Sequence, residues 1–119
     1  MLTGAYTSQD DPNHPAHGML SLFNLKPFPS QWQLHTWFDY NPETGYLIWK
    51  VKPGNGVQIG HAAGSLHSAN RHWRIRINGI DYPAHMLVWI YVHGVRPLKL
   101  DHLNKDKSDN RISNLRECN

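Results

Sequence analysis

The stretch HWRIRINGIDYPAHMLVWIYVHG, residues 72–94, holds the two elements that decide the fold. Its first half alternates apolar and polar residues around Asn78-Gly79, a pair that accepts the positive φ angles of a two-residue hairpin turn. The apolar residues of the first strand are predicted to face the core: Trp73, Ile75 and Ile77. The polar residues that alternate with them are predicted to point away: His72, Arg74 and Arg76. This half therefore predicts an antiparallel β-hairpin with a basic outer face.

The second half of the stretch, PAHMLVWIYVHG, predicts a helix over residues 84–93. Pro83 suits the first turn of this helix, and Gly94 is a C-terminal stop. Apolar residues lie nearly all round the helix, so we expect it to be packed between other elements. His85, at its start, is a candidate phosphate contact, although a histidine on an apolar helix is more often a hydrogen-bonded packing residue. A hairpin beside a buried helix predicts an α+β fold with small antiparallel sheets.

The segment before the hairpin adds a short helix, a turn and another strand. PSQWQLHTWF, residues 29–38, predicts a helix with Ser30 as its N-cap. Four apolar residues of this stretch are expected in the core: Trp32, Leu34, Trp37 and Phe38. The alternation in YLIWKV, residues 46–51, predicts a strand. Residues 1–29 are rich in turn formers and predict an irregular arm, which is a candidate for binding a protein partner or for self-association.

Length and composition predict one domain with a modest core. The chain has 119 residues, of which 39% are apolar and five are Trp. No apolar run approaches the ~20 residues of a membrane span, and nothing resembles a signal peptide, so we expect a cytoplasmic protein without a membrane partner. The single cysteine, Cys118, excludes an intramolecular disulfide and a zinc site built on several thiolates.

Positive charge is concentrated in the middle of the chain. Residues 45–100 carry seven Lys and Arg side chains against Asp81 alone. This balance suits a phosphate backbone, and a β-ribbon with a basic face has a shape that can lie along DNA. We therefore predict that residues 30–96 form a β-rich part that binds double-stranded DNA. Its expected DNA contacts are Lys50, Lys52, Arg74 and Arg76. A basic face that is only solvated is the alternative.

The stretch LKLDHLNKDKSDN, residues 98–110, places an acid beside a histidine at the end of a strand-like run. It could be a surface turn, a calcium loop or half of an active site. A calcium loop that began at Asp101 would need oxygen ligands where Leu103 and Lys105 stand, Gly where Asp106 stands, and Glu where Ile112 stands. The sequence therefore excludes the calcium loop.

Four stretches together resemble, in order and spacing, the phage-type HNH endonuclease family. They are FDYNPETGYLIWK, AAGSL, WRIRINGIDYPAHMLVWIYVHG and LDHLNKDKSDNRISNLRE, and they span about residues 37–118. The most specific part is Asp-His, then a polar loop, then DNR-x-x-NLR. The resemblance implies a ββα-metal motif in residues 97–119 and, if the protein is encoded by a phage, a location in the host cytoplasm.

The resemblance also implies roles for individual residues in metal-assisted hydrolysis of DNA. Asp101 would ligate a divalent metal, expected to be Mg²⁺, and His102 would be the general base. The side-chain amide of Asn114 would pin the loop so that His102 stays aimed. Arg111 and Arg116 would clamp phosphates on either side of the cut. Asn104 and Asn110 are interpreted as turn formers in the same loop.

Two departures from the family pattern keep a second hypothesis open. Relatives carry a second metal ligand on a helix that follows the final strand, beyond the position of Asn119, so we expect an incomplete motif that lacks its last helix. Met86 also stands where relatives usually have Arg after the histidine. The first hypothesis is a Mg²⁺-dependent endonuclease that cuts or nicks DNA. The second is a catalytically inactive remnant that acts as a DNA-binding or an inhibitor-like protein-binding module.

Overall fold

A computed structural model describes residues 27–52 and 58–118 of the protein. The arm predicted over residues 1–29 lies outside these residues except for its last three. The elements follow one another in the order α1 (Gln31–Trp37), β1 (Phe38–Asn41), β2 (Tyr46–Trp49), β3 (Ser65–Leu66), β4 (Trp73–Ile77), β5 (Ile80–Pro83), α2 (Ala84–His93), β6 (Leu100–His102), a short 3-10 helix (Ile112–Asn114) and β7 (Leu115–Glu117). No described helix is long and apolar enough to cross a membrane.

Helix α1 begins with a capping box. The Ser30 hydroxyl accepts a hydrogen bond from the Gln33 backbone, and the Gln33 side chain accepts one from the Ser30 backbone. Leu34 and Phe38 are buried as predicted, but the expectation that Trp32 lies in the core is wrong, because its side chain is 75% exposed. Two positions along a helix correspond to about 200° of rotation, so Trp32 and Leu34 face nearly opposite sides.

Strands β1 and β2 form a hairpin whose turn reaches the C-terminal part of the chain. They pair antiparallel, with Phe38 opposite Trp49 and Asn41 opposite Tyr46. Gly45 closes the turn with φ +84°, a left-handed conformation that favours glycine. A Cβ atom at Gly45 would collide with the backbone of Asn110 and Arg111. The hairpin turn therefore packs directly against the loop that follows β6.

Strands β3, β4 and β5 form a sheet in that order, and β4 and β5 are the predicted hairpin. Asn78 and Gly79 have φ angles of 50° and 79°, as the two-residue turn requires. Ile75 and Ile77 are buried, while Arg76 lies exposed on the other face. His72, one residue before β4, and Arg74 are both half-buried and line one hollow, so the side predicted to point away from the core is partly covered at this end of the strand.

Helix α2 follows β5 directly and ends at Gly94, whose φ of 85° places it in the left-handed region. Its buried residues are Ala84, Leu87, Val88 and Ile90. The expectation of a helix covered all round holds only in part, because Val92 is 40% exposed. Helix α1 packs on α2, and the side chains of Gln31 and His35 both bond to the carbonyl of Tyr91.

Strands β6 and β7 pair antiparallel and carry the C-terminal motif between them. Asp101 lies opposite Arg116, and His102 lies opposite Leu115. One cluster of buried residues joins the helices and sheets of the described chain, from Leu34 in α1 to Leu115 in β7. The class is therefore α+β, with small antiparallel sheets around a buried helix, as predicted.

Candidate active site

His102 is the last residue of β6 and is buried, with 8% of its surface exposed. Its Nε2 atom lies 2.8 Å from the side-chain oxygen of Asn110. Because an amide oxygen only accepts hydrogen bonds, Nε2 carries the hydrogen and donates it. In the neutral ring the lone pair is then on Nδ1. The contact with Asn110 therefore fixes both the orientation and the tautomer of the imidazole.

Asn110 is a site residue that sequence reasoning missed. The interpretation of Asn110 as a turn former is wrong, because its side chain is 3% exposed and bonds to His102. Tyr40 holds the same stretch of backbone: its hydroxyl donates to the Asn110 carbonyl and accepts from the Ile112 backbone. Burial raises the pKa of Tyr40, so the phenol stays protonated and able to donate. Tyr40 was also missed, since nothing in β1 marks it as a partner of a distant loop.

Asn114 joins the two ends of the loop between β6 and β7. Its side-chain oxygen accepts from the Asn104 backbone at 3.0 Å, and its side-chain nitrogen donates to the Asp109 carbonyl at 2.9 Å. The same nitrogen donates to the Asn104 side chain, whose oxygen also accepts from the Asp106 backbone in a local turn. Asn114 is buried, so these bonds are shielded from water. The arrangement is the one expected of a side chain that pins this loop.

Asp101 precedes His102 and points to the opposite face of β6, as neighbouring residues in a strand do. Its carboxylate is partly exposed and lies 3.4 Å from the guanidinium of Arg116 on β7. Hydrogen bonding from Arg116 is the main cause that holds the pKa of Asp101 below its usual value, so the carboxylate is ionised at neutral pH. No three His, Cys, Asp or Glu side chains among the described residues are arranged to hold a metal ion.

Three histidine rings lie together beside this strand. His85 lies in the first turn of α2. Its ring centroid is 5.1 Å from the ring centroid of His102 and 5.2 Å from that of His72. The Nδ1 atoms of His72 and His85 are buried and have no hydrogen-bond partner among the described residues. Burial, with smaller contributions from His102 and His72, lowers the pKa of His85 to about 3. Burial and then the charge of Lys107 lower the pKa of His72. Both rings are therefore neutral at pH 7.

The C-terminal third of the chain matches a known family. Residues 82–119 match the family model of the HNH endonucleases. This part of the chain, called the HNH segment below, is similar to HNH endonucleases. It contains His85, Asp101, His102, Asn110 and Asn114, and the match supports a nuclease-family function. Neither a curated protein nor a solved structure matches the chain.

The arginines of the HNH segment are engaged within the protein. Arg111 forms two bonds of 2.8 Å with the carboxylate of Asp109, and Arg116 is paired with Asp101. Arg111 is the main cause that lowers the pKa of Asp109 to about 2. Arg116 lies opposite Asp101 in the strand pair, and Arg111 directly follows Asn110. The structure therefore brings these two predicted phosphate contacts to the site with carboxylate partners already in place.

The predicted DNA contacts outside the HNH segment divide into two groups. Arg76 is paired with Asp81 at 3.2 Å, and the Lys50 ammonium donates to the His35 carbonyl. Lys52 is exposed. Arg74, in contrast, lines a hollow of about 360 Å³ together with the histidines that precede β4 and begin α2. The residues of this histidine hollow are Asn70, His72, Arg74, Asp81, Pro83 and His85. Among these four predicted DNA contacts, Arg74 is therefore the one that shares a hollow with His85, whose ring lies against that of His102.

The buried neutral state of His85 predicts a pH dependence of stability. Its pKa is about 3 in the folded protein, against about 6.5 for an unperturbed histidine. Between these values the unfolded chain binds more protons, so folding stability is present above pH ~6.5 and is lost as the pH falls. Urea unfolding should give a free energy lower by up to about 2 kcal/mol at pH 5 than at pH 7 from this group. His85→Gln should reduce the difference. An equal loss of unfolding free energy in the unmodified protein and in His85→Gln would contradict the lowered pKa of His85.

Proposed function

We propose that the protein cuts or nicks double-stranded DNA by hydrolysis of a phosphodiester bond, with His102 as the general base. One observation carries the proposal: His102 ends a strand beside an ionised carboxylate, and Asn110 holds the ring with Nδ1 as the basic nitrogen. A positioned imidazole of this kind is the commonest general base in enzymes. The match of the HNH segment to a nuclease family supports DNA as the substrate.

The chemical step begins with one proton transfer. The Nδ1 atom of His102 takes a proton from a water molecule as the water oxygen forms a bond to phosphorus. The bond from phosphorus to the 3′ oxygen then breaks, and the 3′ oxygen leaves with the bonding electrons and takes a proton from solvent water. Asn110 continues to accept the Nε2 hydrogen, which stabilises the ring when it becomes positively charged. Asn114 acts as a positioning residue, because it fixes the loop that carries Asn110.

Asp101 is the residue proposed to hold a divalent metal, with Mg²⁺ as the expected ion. Its ionised, partly exposed carboxylate offers the hard oxygen ligand that Mg²⁺ prefers, and Mg²⁺ is usually held by one or two carboxylates together with substrate phosphates. Such an ion, when bound, supplies positive charge to the phosphate and to the leaving oxygen. Arg116 must release the carboxylate for this role and can then contact a phosphate.

His85 and Arg74 are proposed as contacts for the DNA backbone beside the cut. Both line the histidine hollow, and the ring of His85 lies against that of His102. A neutral His85 can donate one hydrogen bond to a phosphate oxygen without repelling His102 when that ring gains a proton. Arg111, Lys50, Lys52 and Arg76 remain proposed contacts at a greater distance from the base.

A second function, binding without cleavage, is favoured by the ion pair between Asp101 and Arg116. This pair neutralises the carboxylate that the nuclease needs as a ligand. The module would then bind DNA through its basic surface, or a protein in the manner of an inhibitor. A protein partner or self-association through the arm, residues 1–29, also stays a proposal, because most of those residues lie outside the described ones.

A nicking assay separates the two functions. Supercoiled plasmid incubated with the protein and Mg²⁺ is expected to convert to the open-circular or linear form, and EDTA is expected to abolish the conversion. Electrophoresis of the plasmid measures the result, and a mobility shift in EDTA measures binding. A shift without conversion at any divalent metal would reject the nuclease and support the binding module.

A further inference from the structure

Arg71 and Lys105 both have a left-handed backbone conformation, which is unfavourable for long side chains such as theirs. Among the described residues, three other than glycine have positive φ angles: Arg71 at 60°, Asn78 at 50° and Lys105 at 68°. Asn78 is explained by the hairpin turn, and asparagine is tolerant of this conformation. Arg and Lys side chains gain no local stabilisation from a left-handed backbone conformation. Backbone held in such a region is often found at functional sites, where the surrounding structure enforces it.

Arg71 and Lys105 line the same hollow, which has a volume of about 340 Å³. The residues of this cation hollow are Ala69, Asn70, Arg71, Lys105, Asp106 and Lys107. One wall is the turn before β4, where the Arg71 backbone donates to the His67 carbonyl. The other wall is the loop after β6, where the Lys105 backbone donates to the carbonyl of His102 itself. The cation hollow therefore adjoins the proposed base on one side and His72 on the other.

The charge of the cation hollow is not balanced within the described protein. Three cations face one carboxylate, Asp106, which already accepts two hydrogen bonds from Ser108. Arg71, Lys105 and Lys107 make no side-chain hydrogen bond or ion pair with described residues. The pKa of Asp106 is lowered mainly by its hydrogen bonds with Ser108, and the charge of Arg71 adds a smaller contribution. The arginines elsewhere in the chain that are expected to contact DNA are mostly paired with a carboxylate. The cation hollow thus keeps its cations available for an external anion.

We propose that the cation hollow binds a backbone phosphate of the DNA strand that is cut. This inference rests on the proposed function, because it takes DNA as the ligand. It adds the path of the strand: from Lys105 and Lys107, past Arg71 and His72, to the histidine hollow with Arg74. The two hollows share Asn70, so the path is continuous. On this path Arg76, on the outer face of the hairpin, contributes less than Arg74, because it is paired with Asp81.

The test measures DNA binding without cleavage. Fluorescence anisotropy of a labelled duplex in EDTA gives log affinity against log salt for the full chain. Replacing Arg71 and Lys105 together with Asn should reduce the slope by about two units, because two phosphate contacts are lost. The thermal midpoint should rise at the same time, since Asn accepts a left-handed backbone more readily than Arg or Lys. A purely structural role would instead lower the midpoint.

A comparison variant replaces two of the more distant proposed contacts, Arg76 and Lys50, with Asn. Both are already engaged within the protein, Arg76 with Asp81 and Lys50 with the His35 carbonyl, so this variant should reduce the slope by less than the Arg71 and Lys105 variant does. A larger reduction in the comparison variant than in the Arg71 and Lys105 variant would overturn the path and place DNA on the hairpin face. A reduced slope in a protein that never nicks plasmid would keep the path and remove the nuclease. A wild-type chain that binds no DNA would remove both.

Discussion

Replacing His102 with alanine is expected to lower the rate of plasmid nicking at least ~10²-fold, because general base catalysis typically supplies that much. DNA affinity should change little, since the ring is buried and is not one of the proposed phosphate contacts. The measurements are single-turnover nicking with Mg²⁺ and anisotropy in EDTA. The two readouts separate loss of the base from loss of binding.

The control for this substitution is His93→Ala, which removes an exposed imidazole at the end of α2. It should nick at the rate of the unmodified protein. Because His102 is buried, His102→Gln is a second variant that keeps more of the side-chain volume, and circular dichroism checks that both variants fold. Nicking at an undiminished rate by a folded His102 variant would remove this residue from the mechanism.

Replacing Asn110 with alanine should lower kcat by about 10-fold to 10²-fold, the usual effect of removing a group that orients a reacting or ligating side chain. Without the amide oxygen, the hydrogen of His102 loses the acceptor that holds it on Nε2, and Nδ1 is no longer kept free. KM should change little, because Asn110 is 3% exposed and does not reach the DNA. Steady-state nicking at several plasmid concentrations separates the two constants.

Asn110→Asp is the informative partner of this variant. A carboxylate still accepts the Nε2 hydrogen, so Asn110→Asp should recover much of the activity that Asn110→Ala loses. If the side-chain NH₂ of Asn110 mattered only as a structural hydrogen-bond donor, Asn110→Asp would not restore activity, because an ionised carboxylate cannot donate a hydrogen bond. Equal losses in the two variants, with unchanged thermal midpoints, would argue against control of the tautomer.

The features that the sequence predicts well are those encoded by near neighbours. The Ser30 cap, the Asn78-Gly79 turn and the stop at Gly94 each depend on one residue type at one backbone conformation. The Asp101-His102 pair at the end of a strand belongs to the same class. Trp32 shows the limit, since counting apolar residues does not give their angle around a short helix.

The relations that the sequence does not predict join distant residues through loops. Asn110 meets His102 from an irregular loop that has no periodicity to indicate where a side chain points. His72 meets His85 because β4 and α2 pack together, and strand alternation does not show which helix covers that side of the strand. Arg71 and Lys105 do not stand out as a pair in the sequence, because their common hollow lies between two separate turns.

The phenol of Tyr40 has a consequence for how the HNH segment can be inherited. The matched segment starts at residue 82, yet the loop that carries Asn110 is held by Tyr40 and abutted by Gly45, both from the first hairpin. A transfer of residues 82–119 to another scaffold would carry Asp101, the proposed base His102 and the loop amides but leave these contacts behind. Recombination that separated the first hairpin from the HNH segment would deliver the proposed catalytic residues without the contacts that orient them. The unit on which selection can act therefore includes the hairpin.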